Sequence, residues 1–217
     1  MVNDDKAKMS EGLAGRGSPP WLPKASTGAG PDVAHAGPGI SLNGDLMTVV
    51  ERYQGSLLRY VGRMLGTTGD QSEDVVQETF IRLHRQVSTQ GWDSIRHPTT
   101  WLFQVAHNLT MDVLRQRMRR PDAGQVPADP GAVVEEQAAQ EMDALGEAIR
   151  QEARHVVLRE LGQLEEVYRQ VVLLKIIQGM SLRQVAEVVG VSLTTVNSRL
   201  NQGLSILACR LRKAGVA

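Results

Sequence analysis

The chain has 217 residues, enough for one ordinary domain or two small ones. Its formal net charge is zero, so global charge does not announce nucleic acid, and 4% aromatics fits small helical bundles packed with Leu, Val and Ile. Cys209 is the only cysteine, which excludes an intramolecular disulfide and a cysteine-based metal cluster and favours a reducing compartment. The charge is unevenly placed. Residues 45–120 carry +2, residues 121–160 carry −6 and residues 161–217 carry +4, so an acidic middle separates two mildly basic ends. The five histidines show no metal-ligand spacing, and no carboxylate pair, nucleophile constellation or phosphate loop is visible. Neither enzyme chemistry nor a cofactor nor a metal is expected.

Residues 1–44 are rich in Gly, Pro, Ala and Ser and cannot bury enough apolar surface to offset their ordering entropy, so a disordered N-terminal extension is expected. Trp21, in PPWLP, reads as an incidental aromatic or as a short docking peptide. Translation could begin at Met1 or at Met47. The N-terminus lacks the apolar core of a secretory signal, and the longest apolar run, Val171 to Ile177, is interrupted by Lys175 and is too short to span a bilayer. A cytoplasmic protein without membrane insertion is expected.

A helix is predicted from Leu46 to about Leu65, on a broad face that includes Val49, Tyr53, Leu57, Val61 and Leu65. GTTGD breaks it. Asp70 is predicted to cap a second helix, with Glu73 at the third position, running to about Val87. Val75, Val76, Thr79, Phe80 and Leu83 should point inward, leaving Asp74, Gln77, Glu78, Arg82 and Arg85 outward. After the loop STQGWDSIRH, Pro98 suits the first position of a third helix ending near Arg119, because its missing N–H would be unpaired there anyway. Trp101, Leu102, Val105, Ala106, Leu109, Val113 and Leu114 supply its core face. Arg115, Arg117, Arg119 and Arg120 crowd its end. They complement the helix dipole, but four arginines within six residues exceed that need, and phosphate contact is an equal reading.

Pro121 stops the third helix, and PDAGQVPADPG is a linker by composition. An acidic, helix-permissive segment follows, giving a linker over residues 121–158. A C-terminal domain over 159–217 opens with an apolar helix marked by Leu161, Leu164, Val171 and Leu174. Ser181 with Gln184 then forms a capping box, and Leu182, Val185, Ala186 and Val189 line one face. Gly190 stands where the chain must turn sharply. Ser192 caps a last helix with a buried stripe of Val196, Leu200, Leu204 and Leu207. That is the layout of a helix-turn-helix. A plain helical hairpin also wants a turn glycine; the joint placement of Ala186, Gly190 and Val196 favours the DNA-reading motif.

Three blocks carry a family resemblance. DQSEDVVQETFIRLHRQ and HPTTWLFQVAHNLTMDVLRQRMRR resemble the second region, and the helix after it, of the extracytoplasmic-function type of bacterial sigma factor. LEEVYRQVVLLKIIQGMSLRQVAEVVGVSLTTVNSRL resembles the fourth region. The resemblance implies an all-α protein of two small helical domains, residues 45–120 and 159–217, joined by the acidic linker. Such a factor binds core RNA polymerase, reads two promoter elements and helps melt the DNA. By position, Asp74, Gln77, Glu78 and Phe80 match the block that contacts the β′ clamp helices, and the fourth region would meet the β flap. Trp92, Arg96, Trp101, Arg115, Arg117, Arg119 and Arg120 match the part that captures unpaired minus-ten bases, with Trp101 and Phe80 equally readable as core. Thr194, Thr195, Asn197, Ser198 and Arg199 would read the minus-thirty-five duplex. The family usually has basic residues where Asn197 stands and around Asn201 and Gln202, so weak or atypical minus-thirty-five binding is expected. An anti-sigma partner is a common family feature, and SIRHP-TTWLF is similar to the iron-uptake branch.

Two other readings stay open. A stand-alone helix-turn-helix regulator would carry a sensing domain with strands at residues 70–120, where three helical segments are read instead. A polymerase-binding adaptor that has lost DNA reading would account for Asn197, Asn201 and Gln202.

Overall fold

The computed structural model describes residues 46–67, 69–119 and 144–215. The expectations for the N-terminal extension, for residues 121–143 of the linker and for Arg120 lie outside these residues. Every regular element among the described residues is helical: α1 (Leu46–Leu65), α2 (Asp70–Gln90), α3 (Pro98–Arg119), α4 (Ala144–Gly162), α5 (Glu166–Val172), α6 (Leu182–Val189) and α7 (Leu193–Lys213). A 3-10 turn, Trp92–Ser94, joins α2 to α3, and a π turn, Leu173–Ile177, extends α5.

The N-terminal half packs α1, α2 and α3 against one another. Asp70 does not cap α2, as the sequence reading expected; Gly69 holds that position and Asp70 is the first helical residue. The Gly69 carbonyl accepts the Ser72 and Glu73 N–H groups, while Asp70 and Glu73 sit in the first turn, where negative charge suits the helix dipole. The helix also outlasts its expected end by about one turn, reaching Gln90. Tyr60 of α1 is fully buried, meets Phe103 edge-on at 5.6 Å and places its hydroxyl 2.9 Å from His107 Nδ1. Burial holds the Tyr60 phenol well above its usual range, with Glu166 adding to the effect. Burial, then the charge of Arg115, lowers His107 to about 4.

α3 is buried on more than the predicted stripe. Thr100, Phe103, His107 and Thr110 are hidden together with Trp101, Leu102, Val105 and Ala106. At ~100° per residue these positions cover about 260° of the helix circumference, which requires neighbours on more than one side. α3 has them: α1, α2 and α6.

In the C-terminal half, α4 and α5 both pack on α7. The apolar helix expected to run from Leu161 is interrupted between Gly162 and Glu166, and then widens into the π turn. The predicted stripe of α7 needs one correction. Leu204 is 37% exposed, and Gly203 takes its place in the buried set with Val196, Leu200 and Leu207. Seven residues from Val196 make nearly two whole turns, whereas eight overshoot the face by about 80°. A Cβ on Gly203 would lie 3.1 Å from Val172 Cγ2 and 3.2 Å from Tyr168 Cβ, so the absent side chain lets α5 approach closely. The two halves touch through α3 on α6 and α1 on α5, and their buried apolar residues form one continuous cluster.

Candidate functional site

On α2, Asp74 and Gln77 are exposed and Glu78 is half-buried, with its Oε1 2.8 Å from Arg82 Nε. Spacings of three and four residues put them on one face. Ile81 continues that face one turn on and is 39% exposed. The sequence reading missed it, because a single apolar residue beside a core stripe looks like part of that stripe. Phe80, in contrast, is half-buried and packed on the core. The geometry offers a partner an acidic and amide surface with one apolar anchor.

The residues matched to minus-ten capture do not form one surface. Trp92, in the 3-10 turn, is partly buried against the core, while Arg96 is exposed. Trp101 is 8% exposed and belongs to the core. At the end of α3 the arginines divide. Arg117, itself exposed, is tied to the end of α1: its Nη1 donates 2.8 Å to the Leu65 carbonyl, and its Nη2 bonds Gln71 Oε1. It satisfies an orphan carbonyl at the end of α1. Arg115 and Arg119 line an open cavity of about 380 Å³ with Asp112 and Gln116, and Arg115 Nη1 lies 3.2 Å from Asp112. These four positions share one face of α3, so the cationic surface is carried by Arg115 and Arg119.

The helix-turn-helix is built by local chemistry. Ser181 Oγ accepts the Gln184 N–H at 3.2 Å, and the Gln184 side chain accepts the Ser181 N–H at 2.9 Å, closing the capping box. Gly190 is left-handed at φ 72°, which lets α6 end and the chain turn within two residues. Ser192 Oγ accepts the Thr195 N–H at 3.2 Å and lies 2.8 Å from Thr195 Oγ1, so Thr195 serves the cap. Thr194, Asn197 and Ser198 are exposed over the first two turns of α7, and Arg199 is half-exposed. Leu193, at the first position, is 45% exposed. It escaped the sequence reading because leucine at a helix start looks like packing. Among the described residues no group of His, Cys, Asp and Glu could hold a metal ion, and no helix is long and apolar enough to cross a membrane.

Two helical units, each with an exposed polar face, one of them a helix-turn-helix, define the class of protein. Residues 49–120 match Sigma-70 region 2, and residues 154–207 match Sigma-70 region 4. The chain is 30% identical over 168 residues to the ECF RNA polymerase sigma factor SigW of Bacillus subtilis (strain 168), spanning 76% of this chain and 87% of that protein. It is 31% identical over 158 residues to the ECF RNA polymerase sigma-E factor of Escherichia coli (strain K12), spanning 70% and 78%. Its fold resembles that of the sigma factor RpoE in complex with the anti-sigma factor NepR from Bartonella quintana. The TM-score is 0.60 at 18% identity, covering 77% of this chain and 97% of that one. CnrH in complex with the cytosolic domain of CnrY gives 0.53 at 23% identity, covering 77% and 88%. The chain belongs to the extracytoplasmic-function (ECF) family of RNA polymerase sigma factors. It directs promoter recognition by RNA polymerase, and the stand-alone regulator is not favoured.

Proposed function

We propose that the α2 face of Asp74, Gln77, Glu78 and Ile81 docks on the β′ clamp helices of core polymerase. The observation that carries this reading is the exposed acidic and amide surface within the region 2 match, which suits a basic partner helix. Arg96, Arg115 and Arg119 then receive the backbone of the melted minus-ten strand, and Trp92 offers the stacking surface. Phe80 and Trp101 act from the core by holding these groups in place. Thr194, Asn197, Ser198 and Arg199 read the minus-thirty-five duplex, with Leu193 on a methyl group. Val167, Ile176 and Ile177, exposed on α5 and its π turn, support docking to the β flap.

Because Asn197, Asn201 and Gln202 carry no charge, the duplex affinity of α7 alone is low and polymerase supplies most of the binding. The relative solved with an anti-sigma factor supports such a partner here, acting in the cytoplasm where polymerase works. The likeness to the iron-uptake branch makes iron limitation the first inducing condition to try. Co-purification with core polymerase tests the docking surface. The pair Gln77→Lys and Glu78→Lys should lose core while the protein keeps its helical content and melting temperature. Undiminished core binding would remove this face from the interface.

A further inference from the structure

The outward face of α7 is made of unusual material for an exposed helix. From Leu193 to Cys209 its only charged residue is Arg199, and the whole helix contains no acid. Val196, Leu200, Gly203 and Leu207 define its buried side. At ~100° per residue, Thr194, Ser198 and Ser205 lie within about 30° of the line opposite that side, and Asn201 and Gln202 flank the line at about 50° on either hand. All five are exposed. Arg199 is half-exposed and stands about 110° from the same line, at the margin. The centre of the face is therefore a strip of hydroxyls and amides, about 17 Å long, with no charge in it.

A helix face that only meets water is more stable when built from Glu, Lys, Arg and Gln. Thr, Ser and Asn are weaker helix formers, because they lose rotamers there or compete for nearby backbone groups. The outer side of α2 uses the common solution: Glu73, Asp74 and Arg85 are exposed, and Glu78 pairs with Arg82. α7 gives up helix stability to carry its strip, which argues for a task other than solvation. Nor does the strip suit a protein partner. It has no aromatic residue and no apolar centre, the features that mark the core of a protein interface.

Its chemistry matches base edges. A primary amide presents a donor beside an acceptor, as adenine does in the major groove: the amide nitrogen donates to adenine N7, and the amide oxygen accepts from the adenine N6 amino group. Guanine offers two acceptors there and leaves the amide oxygen facing one of them. Thr194, Ser198 and Ser205 are short and let the helix axis approach the pairs, and the two amides reach beyond them. Asn201 lies four residues, about 6 Å, past Asn197, so these two meet pairs about one to two steps apart.

We propose that Asn201 and Gln202 are specificity-determining residues, each reading the adenine of an A·T pair in the minus-thirty-five duplex. This rests on the sigma-factor reading and deepens it at one end. The selectivity of that end comes from amide contacts, and little of its affinity comes from the salt-sensitive grip of cations on phosphate.

Selection tests this. Fully randomised duplexes are selected for binding to holoenzyme assembled from core polymerase and this protein, and the bound DNA is sequenced. The parent should enrich A·T pairs at the positions read by the amides. Asn201→Ala should lose about tenfold of the preference at one position and leave the others alone, Gln202→Ala should do the same at a second, and Asn201→Arg should turn its position toward guanine. Alanine is the better helix former, so such losses are not unfolding. Replacing adenine at the Asn201 position by 7-deazaadenine, which lacks N7, should weaken binding of the parent and make no difference to Asn201→Ala. A parent profile without those A·T positions, or variants that keep the parent's profile, would overturn the assignment. Variants that lose core binding while the base profile stays unchanged would also overturn it and put the strip in a protein interface. Preferences that shift as described in a holoenzyme without promoter-dependent transcription would leave adenine reading standing and sink initiation. A transcribing holoenzyme indifferent to these substitutions would do the reverse.

Discussion

His107 makes folding stability sensitive to mild acid, and the size of the effect follows from its surroundings. It sits beneath Tyr60 in the core of the N-terminal half, where burial, with Arg115 adding to it, lowers its pKa to about 4. In the unfolded chain the imidazole titrates near 6.5. Above 6.5 neither state binds the proton and the group contributes nothing to pH dependence. Between 6.5 and about 4 only the unfolded state binds it, so stability falls as pH falls; below about 4 both states bind it and the loss levels off. At 1.36 kcal/mol per pH unit the full loss is about 3 kcal/mol. Other groups titrate in this range, so the assay is a difference: urea denaturation of the parent protein and of His107→Gln from pH 8 to pH 4. Gln keeps a polar group near Tyr60 but cannot titrate. The parent's advantage at pH 8 should shrink by about 3 kcal/mol at pH 4, most of it between pH 6 and pH 4.5. Parallel curves for the two proteins would refute the reasoning, because they would mean that His107 takes up its proton in the folded state.

The arginines at the end of α3 should separate by role. Arg117→Ala, which strands the Leu65 carbonyl, should cost about 1 kcal/mol in thermal stability, whereas Arg119→Ala should leave the melting temperature unchanged and weaken binding of single-stranded minus-ten DNA with a shallower salt dependence. Reversed behaviour in melting and fluorescence-anisotropy measurements would reverse the assignment. Arg199→Ala should lose about 1–3 kcal/mol of minus-thirty-five recognition by the holoenzyme, measured as promoter competition; an unchanged promoter profile would show that this helix does not set specificity.

What could be read without coordinates was local. Ser181 with Gln184, Gly190 and Ser192 set the helix-turn-helix through bonds to residues three or four positions away, and all of them stand as expected. Pro98 likewise opens α3. The misses have long-range causes. Gly203 has no hydropathy to mark it as a core residue; its burial depends on how close α5 comes. Phe103, His107 and Thr110 lie off the obvious apolar stripe and are hidden because α3 has neighbours on several sides. Arg117 looked like its neighbours until the end of α1, 52 positions away, was placed beside it. Ile81 and Leu193 show the opposite miss, apolar residues that the sequence reading passed over and that the structure leaves exposed. The bonds from Arg169 to the Arg63 and Met64 carbonyls and from Gln178 to the Ser56 carbonyl of α1 had no signature in the sequence, because main-chain carbonyls are carried by every residue.

Promoter-directed initiation is the centre of the account, and run-off transcription tests it most directly. Purified core polymerase, this protein and templates from its own genome should yield transcripts of defined length that are absent when either protein is left out. Folded protein that binds core yet starts no promoter-dependent transcript on any native template would contradict the account.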